Sequence, residues 1–592
     1  MPASPFAQPS RIFPCLLLTA FLISTVPLLP RAADAPVPPR DRMSDTWVAM
    51  DGLGRQLPGN AECGNPREGK IVAMFYFLWL QPSMPDGPYD ISRILKENPT
   101  NPQWAAPNAF HHWGEPEDGY YVSDDPYMIR KHCNMLVNAG VDVIVFDVTN
   151  GPTYPESYLR LCETFQAIRA EGERTPQISF ITNTQHAGVV QELYNSFYAK
   201  NLYPDLWFRW EGKPLLMASP EGHSPEIANF FTFRRSWAWT KGQEWFADGR
   251  DKWPWVDHFP QQAGWHENPQ KPEEISVAVA QHPVSNIGRS FQNGKQPVPG
   301  QERTAEGLCF QEQWNRALEV NPAVAFVTGW NEWIAMRFVS DGRGQMLGKK
   351  IEKGQTFFVD QYNQEFSRDI EPMKGGHGDN YYYQLVANIR RFKGARPLPP
   401  ASAPKTIAVD GQFNDWADVA PEFRDAIGDT AHRDHKGYGT IARYTDNTGR
   451  NDLLTLKVAR DAENLYFYAR TREPLTPWKD PNWMLLYLDV DANPKTGGWN
   501  GYEFLANTAP TAQNRSSVQK IGQGVVGEIT FQAAGNELEL AIPRKLLGLE
   551  NQEKGTLDFH WTDNAQPLGD LTEFALHGDS APDRRFNYRY VF

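Results

Sequence analysis

Apolar runs and helical patterns alternate through the first two thirds of the 592-residue chain. Eight apolar, β-rich segments stand out, several of them separated by amphipathic helix patterns: 71–80, 141–149, 177–184, 214–219, 230–236, 255–260, 274–282 and 323–333. Near-continuous apolar strands joined by helices are typical of a parallel sheet covered on its outer face. The pattern therefore predicts an α/β domain over residues 70–395 with the architecture of a (β/α)8 TIM barrel.

A different pattern begins after a Pro- and Ala-rich stretch. Residues 396–405 show neither helical nor strand periodicity, which is typical of a stiff, extended linker. Residues 406–592 contain short alternating segments broken by Gly, Asn, Asp and Pro, a pattern that predicts an antiparallel β-sandwich domain. Residues 36–69 are left as an N-terminal extension of the barrel.

The first residues have the features of an export signal. Arg11 precedes an apolar stretch of signal-peptide length, and Ala33 and Ala35 suit a cleavage zone. We predict that residues 1–35 are a cleaved signal peptide and that the mature protein is secreted or periplasmic, without a membrane span. A retained N-terminal anchor is the alternative. The spacing of the four remaining cysteines selects no disulfide pairing and favours buried free thiols over a metal site.

Composition narrows the possible partners. The formal net charge is −13, and no basic stripe offsets it, which argues against nucleic acid. Aromatic residues make up 13% of the chain and include 20 Trp, whose flat rings fill cores and also stack on the apolar faces of sugars. A polysaccharide or glycan partner is therefore the favoured hypothesis, with the protein acting as a monomer.

Polar and aromatic side chains follow the predicted strands at their C-terminal ends, where TIM barrels hold their active sites. These candidate binding and catalytic residues are Asp147, Asn150, His186, Arg235, Trp237, Asp257, His282, Trp330, Asn331, Glu332 and Trp333. Helix capping, loop packing and structural ion pairing are the alternatives for several of them. Glu332 is the strongest candidate, because a carboxylate directly after an apolar run is costly unless it is hydrogen-bonded or functional.

Three motifs in this half resemble the glycoside hydrolase family 99 and 71 group. They are GWNEW at 329–333, GVDVIVFD at 140–147 and RDIEP at 368–372. The resemblance implies a (β/α)8 fold, a glycan substrate and Glu332 as a catalytic carboxylate. In family 99 a second Glu, three positions after the first, is the general acid, but Ala335 stands at that position here.

The missing acid leaves several hypotheses open. Glycoside hydrolysis generally needs two carboxyl groups, and an inserted segment between Trp333 and the IEP residues of the third motif offers Asp360, Glu365 and Asp369. We rank Asp147 ahead of Glu365 and Asp360 as the acid, because a strand end holds a side chain rigidly. No cofactor is then required for catalysis. The alternatives are a non-catalytic glycan-binding protein and a metal-dependent hydrolase using Asp147, His186, Asp257 or His282.

The last third carries its own resemblance. DGQFNDW at 410–416, ENLYFYA at 463–469 and GYEF at 501–504 are similar to carbohydrate-binding module family 9. That similarity implies glycan binding on aromatic side chains, for which Trp478, Trp483 and Trp499 are the candidates. Asp489, Asp491 and Asn493 stand at alternate positions, a spacing that suits a structural calcium ion but also an Asx-rich turn.

Overall fold

The computed structural model describes residues 39–592, so the predicted signal peptide lies outside the described residues. The helices of the first half are α1 (Asn60–Cys63), α2 (Ile91–Glu97), α3 (Pro126–Ala139), α4 (Pro155–Ala170), α5 (His186–Leu193), α6 (Pro225–Phe230), α7 (Leu308–Val320) and α8 (Asn380–Lys393). Its strands are β1 (Ile71–Tyr76), β2 (Phe110–His112), β3 (Val143–Val148), β4 (Gln177–Thr182), β5 (Arg209–Trp210), β6 (Lys213–Leu216), β7 (Thr232–Phe233), β8 (Gly264–Trp265), β9 (Pro272–Ala278), β10 (Val324–Thr328), β11 (Ile334–Met336), β12 (Phe338–Val339), β13 (Gln345–Met346), β14 (Lys349–Lys350) and β15 (Thr356–Phe357).

A parallel sheet forms the centre of this half. Its order is β4-β3-β1-β10-β9, with β8 added antiparallel to β9 at one edge. A parallel bridge between Ile181 and Met217 continues the pairing toward β6 and β7, which are also parallel. The predicted parallel sheet is thus confirmed as a half-barrel within a mixed α/β structure.

The two faces of this sheet bury different sets of side chains. Ala73 and Phe75 of β1 pack on the inner face with Val143 and Val145 of β3. Because side chains alternate along a strand, Asp147 continues this inner face at the end of β3. The sheet therefore delivers a carboxyl group to its own carboxyl edge.

The second half is built on one large antiparallel sheet. Its strands are β16 (Glu422–Arg424), β17 (Arg433–His435), β18 (Tyr444–Asp446), β19 (Leu453–Arg460), β20 (Asn464–Thr471), β21 (Leu485–Asp489), β22 (Phe504–Ala506), β23 (Arg515–Lys520), β24 (Gly524–Ala534), β25 (Glu537–Pro543), β26 (Thr556–Asp563), β27 (Asp579–Ala581) and β28 (Tyr588–Val591), with the short helix α9 (Glu573–Leu576). The main sheet runs β16-β19-β20-β25-β24-β23-β22-β21-β26-β27, and β28 also pairs with β26. This is a sandwich-like, nearly closed antiparallel domain.

Buried ion pairs join the two halves. The carboxylate of Glu117 accepts hydrogen bonds from both terminal nitrogens of Arg584 at 2.6 to 2.8 Å, and Asp125 accepts from Arg433 at 2.8 Å. All four side chains are nearly inaccessible to solvent. Residues 39–592 accordingly form one compact unit. The boundary at the Pro-rich stretch stays a prediction, but the contact across it is extensive.

Two smaller expectations concern the thiols and the membrane. Cys63, Cys133, Cys162 and Cys309 are all buried and free, as the sequence analysis favoured. None of the helices between residues 39 and 592 combines the length and the apolar character needed to cross a bilayer.

Candidate active site

Glu332 lies just beyond the end of β10 and is held by two contacts. Its side chain is only 6% exposed. One carboxylate oxygen accepts a hydrogen bond from Nη2 of Arg368 at 2.7 Å, and its backbone N–H donates to Asp369 Oδ1 at 2.8 Å. A buried carboxylate is tolerated only with such partners. This arrangement fixes the Glu332 side chain in position.

Arg368 is itself immobilised. Its Nη1 donates to the backbone carbonyls of Asp360 at 2.9 Å and Gln281 at 3.2 Å. Its guanidinium lies over the ring of Trp255, 5.3 Å from the centroid. The planar fork of an arginine is well suited to holding a carboxylate in one orientation. Arg368 therefore acts as a rigid positive clamp beneath Glu332.

The guanidinium of Arg368 lies close to four carboxyl groups. Burial works to lower the pKa of Arg368, but Glu332, Asp360, Asp369 and Asp147 together raise it. Arg289 adds a second positive charge near Asp369, but burial raises the pKa of all four carboxyls, so some of them hold a proton near neutral pH. The site thus combines a paired carboxylate with protonated carboxyl groups.

Burial raises the carboxyl pKa values unequally. It raises the pKa of Asp147 to about 6, although the N–H of Thr149 donates to Asp147 Oδ1 at 3.0 Å and opposes this rise. It raises the pKa of Asp369 to about 7. Burial also raises the pKa of Glu332 well above its ordinary value, although Arg368 opposes this rise. Carboxyl groups with different pKa values in one site are the usual basis for separate acid and base roles.

Aromatic rings line the inner face beside these carboxyls. Trp255 is stacked on Phe75 with ring centroids 5.5 Å apart. Trp237 lies 6.5 Å from Trp255, and Trp239 stacks on His258 at 5.8 Å. Trp237 and Trp239 are only partly buried, so part of each ring is free to contact a ligand.

His282 lies beside both a carboxyl group of the site and one of the aromatic rings. Its ring lies 5.2 Å from Trp239, and its Nε2 is 3.9 Å from a carboxylate oxygen of Asp360. Burial, together with the nearby positive charge of Arg368, lowers the pKa of His282 well below its ordinary value. A neutral imidazole therefore faces the site, with a ring nitrogen able to donate or accept one hydrogen bond.

The residues flanking Glu332 pack into the protein interior and are not exposed beside its carboxylate. Trp330 and Trp333 are fully buried. Trp333 stacks on Trp113 at 4.4 Å and donates to Glu371 at 2.6 Å. Asn331 pairs through its amide with the backbone N–H and carbonyl of Phe77. The structure gives these three side chains a supporting position, in contrast to the substrate contact expected from sequence.

Asp360 and Glu365, two of the three acids of the inserted segment, occupy different environments. Glu365 is buried and accepts four hydrogen bonds, from the N–H and hydroxyl of Ser290, from Gln296 and from Thr304. These contacts saturate its carboxylate and speak against the proton-donor role considered from sequence. Asp360 stands beside His282 and Arg368, with about half of its side chain exposed (49%). Only Asp360 of the pair reaches the site.

The remaining predicted residues of this half lie around the periphery. Asn150 is exposed, and His186 packs against His223 with ring centroids 5.8 Å apart. The backbone of Arg235 pairs with Lys252. Asp257 accepts bonds from Thr240, His258 and Gln262, which makes it a loop-stabilising carboxylate.

The candidate tryptophans of the second half differ in exposure. Trp483 is 2% exposed and donates to the carbonyl of Thr476 at 2.9 Å. Trp478 is partly exposed, and it borders with Trp483 a cleft of about 490 Å³. Trp499 stacks on Tyr502 at 6.0 Å. Trp478 is thus the candidate of the three that borders a cleft with an accessible ring.

The predicted calcium motif folds into a turn that recruits a further acid. One carboxylate oxygen from each of Asp489, Asp491 and Glu503 lies within 4.8 Å of the others. Asn493 contributes its backbone N–H to Asp489 and Asp491, and its side-chain oxygen accepts from Lys495. Hard oxygen ligands at this separation fit Ca²⁺. Glu503 thus lies with Asp489 and Asp491 in this acidic turn, a residue that the sequence analysis did not name.

Metal-sized groupings of His, Cys, Asp and Glu side chains occur elsewhere too. Those found between residues 39 and 592 lie in the second half of the chain, and none includes Asp147, His186, Asp257 or His282. The four side chains named for a metal-dependent hydrolase therefore do not converge on one point in this structure.

The sequence analysis missed the role of two residues of the site. Arg368 and Trp255 contact each other and frame Glu332. Arg368 lies within the RDIEP motif, from which the sequence analysis named only an acidic residue as a candidate. Trp255 opens a predicted strand and carried no distinctive signal.

Comparisons with protein-family models and with curated proteins gave no match. Among solved structures, the chain is similar to a GH99 endo-alpha-mannosidase from Bacteroides thetaiotaomicron in complex with bis-tris propane, at 15% identity and a TM-score of 0.31, over 54% of this chain and 97% of that one. A second structure of a GH99 endo-alpha-mannosidase from the same organism matches at 16% identity and a TM-score of 0.30, over 55% of this chain and 98% of that one.

Proposed function

We propose that the chain is a secreted glycoside hydrolase whose first half is a complete (β/α)8 barrel. The observation that carries this proposal is the buried Glu332–Arg368 pair, with Asp147 in the same electrostatic group. Glycoside hydrolysis uses two carboxyl groups in different protonation states. The carboxyl edge of a parallel sheet is where barrel enzymes place such groups.

The two acids have distinct roles in this proposal. Asp147, with a pKa raised to about 6, donates its proton to the glycosidic oxygen as the bond to the anomeric carbon breaks. Glu332, held by Arg368, is the carboxylate that either attacks the anomeric carbon itself, with water later releasing the sugar, or takes a proton from the water that attacks this carbon. Asp369 is fully buried and bonded to the Glu332 backbone, so it is a positioning residue.

Substrate contact falls to the partly exposed aromatic rings. Trp237 and Trp239 offer flat apolar surfaces beside the carboxyls, and Asp360 and His282 offer hydrogen bonds to sugar hydroxyls. In the second half, Trp478 borders a separate cleft that suits a sugar chain. We therefore propose a polysaccharide or complex glycan as the substrate.

A non-catalytic glycan-binding protein is the second candidate. The observation in its favour is Ala335, which occupies the position of the acid in the family that this sequence resembles. Ala335 lies in β11, pairs with His111 and is 3% exposed, so no side chain reaches the site from this position. In this alternative the same aromatic rings bind the glycan without cleaving it.

A polysaccharide panel with product analysis separates the two. The wild-type protein is expected to release reducing ends from at least one glycan, and Glu332→Gln is expected to lose at least 10²-fold in turnover, in the range for removal of a catalytic acid or base. Glu273→Gln is the matched control, because Glu273 also pairs with a buried arginine, Arg234, but lies at the opposite end of its strand. Binding without product release would favour the second candidate.

A further inference from the structure

Five aspartates come together where loops of the second half face the first half. One carboxylate oxygen from each of Asp425, Asp429 and Asp583 lies within 4.8 Å of the others. Asp429, Asp452 and Asp579 form a second such triad. The residues are distant in sequence, so the fold itself assembles the group, here called the aspartate cluster. It shares no residue with the Asp489 turn.

Several oxygens of the aspartate cluster have no partner among the described residues. Asp425 is fully buried, and neither of its carboxylate oxygens accepts a hydrogen bond. One carboxylate oxygen of Asp429 and one of Asp452 are also buried, and neither accepts a hydrogen bond. Leaving a buried carboxylate without partners carries a large free-energy cost. These oxygens therefore require a partner of another kind.

Three nearby cationic side chains form ion pairs with carboxylates other than the five aspartates. Arg42 pairs with Glu173 at 3.3 Å, Arg584 with Glu117 at 2.6 Å and Lys131 with Asp118 at 2.7 Å. Each of these carboxylate partners lies outside the aspartate cluster. Within the cluster, Asp452 lies 3.8 Å from Arg472, and Arg42 acts on Asp425 and Asp583 from a greater distance, so the negative charge of the five aspartates is only partly offset.

A second observation comes from the first half. Asn138 is near the end of α3 and is 3% exposed. Its amide nitrogen donates to Asp583 at 2.7 Å, and its amide oxygen is buried without a partner. A cavity of about 70 Å³, bordered by Asp429, Asp579 and Asp583, adjoins the cluster and has room for water molecules.

We propose that the aspartate cluster is a calcium site that locks the two halves of the chain together. Its donors are all oxygens, the ligand type that Ca²⁺ and Mg²⁺ prefer. Ca²⁺ accepts about six to eight oxygen ligands in flexible geometry, whereas Mg²⁺ requires near-ideal octahedral geometry and usually keeps several of its waters. Asp429 is common to both triads and is therefore the central ligand. Asn138 links the site to α3.

The test uses the full chain after treatment with a chelator. Titration with CaCl2, followed by calorimetry, is expected to show saturable binding, and the thermal midpoint is expected to rise with calcium concentration because the ion binds only the folded state. MgCl2 at the same concentration is expected to give a much smaller rise.

Substitutions in the aspartate cluster identify the site. Asp429→Asn is expected to weaken calcium binding at least about tenfold. Asp425→Asn removes one of several like charges, so it is expected to raise the thermal midpoint in chelator while reducing the calcium-dependent rise. The higher midpoint in chelator shows that the variant is folded. The smaller calcium-dependent rise then reports weaker calcium binding.

Two matched variants serve as controls. Glu117→Gln breaks the neighbouring ion pair with Arg584, so it lowers the midpoint but keeps the calcium-dependent rise. Asp489→Asn disables the other acidic turn and leaves binding at the aspartate cluster intact. The proposal is overturned if chelated wild-type protein shows no calcium response at millimolar concentration, or if Asp489→Asn removes the whole response while Asp429→Asn retains it.

Discussion

Arg368 donates a hydrogen bond to Glu332 at 2.7 Å, and both side chains are almost fully buried. Arg368 is fixed from the other side by two backbone carbonyls and by Trp255. A carboxylate held in this way keeps one orientation and keeps its charge at lower pH than burial alone would allow. The pair is the structural basis for assigning Glu332 a chemical role.

Removing the charge of Arg368 should change the pH dependence of activity. In Arg368→Met the pKa of Glu332 rises, because burial is no longer opposed by the guanidinium. The acidic limb of kcat/KM should therefore move to higher pH, while Arg368→Lys keeps part of the wild-type profile. An acidic limb that stays in place in Arg368→Met would show that Glu332 does not govern it.

Asp147→Asn should stabilise the protein at alkaline pH while it impairs activity. The folded state binds the Asp147 proton more tightly than the unfolded chain, since burial raises the pKa from 3.8 to about 6. Stability from this group is full below about pH 4 and is lost as the pH rises through about 6. At pH 8 the variant should gain about 1 to 3 kcal/mol in urea unfolding, and at pH 4 almost nothing. An equal gain at both pH values would contradict the raised pKa.

Two tryptophans should respond differently to truncation. Trp239→Ala removes a partly exposed ring beside His282 and should raise KM about tenfold with little change in the free energy of unfolding. Trp333→Ala empties a fully buried position and should cost about 3 to 5 kcal/mol of stability. Steady-state kinetics and denaturant titration on both variants check the contrast. A large KM effect confined to Trp333→Ala would reverse the assignment.

Deleting residues 405–592 should leave an insoluble first half. Without the second half, Glu117 and Asp125 lose the arginines that pair with them, and breaking a buried pair costs about 3 to 5 kcal/mol. Sedimentation and circular dichroism of the truncated chain measure the outcome. A soluble, folded fragment would mean that the Pro-rich stretch joins independent domains, as its composition alone predicts.

The sheet at the centre of the first half was predictable because its strands are long apolar runs. β1, β3, β4 and β10 each fall within a segment chosen from hydrophobicity, and β9 overlaps such a segment but begins two residues earlier. Long runs that are buried on both faces carry a strong signal, and the helices between them show their own periodicity. Asp147 was predictable for the same reason, since it ends such a run on the inner face.

Contacts between distant residues left no comparable signal. Arg368 lies 36 residues after Glu332, and Arg584 lies 467 residues after Glu117. Their pairing depends on how the chain folds back, which composition and periodicity do not encode. The exposure of Trp330 and Trp333 was also misjudged from sequence. Adjacency to Glu332 suggested a common direction, but Trp333 stacks on the distant Trp113, and Trp330 packs against aromatic rings of α3 and α8.

The most direct test of the proposed hydrolase is the dependence of Asp147→Asn on the leaving group. Its kcat on a cleaved natural glycan and on an aryl glycoside of the same sugar with a good leaving group is compared with that of Glu332→Gln. We predict that Asp147→Asn loses at least about 10²-fold on the glycan but much less on the aryl glycoside, which needs little protonation, while Glu332→Gln loses activity on both. Equal losses of Asp147→Asn on the two substrates, or activity of Glu332→Gln within tenfold of wild type, would contradict the account.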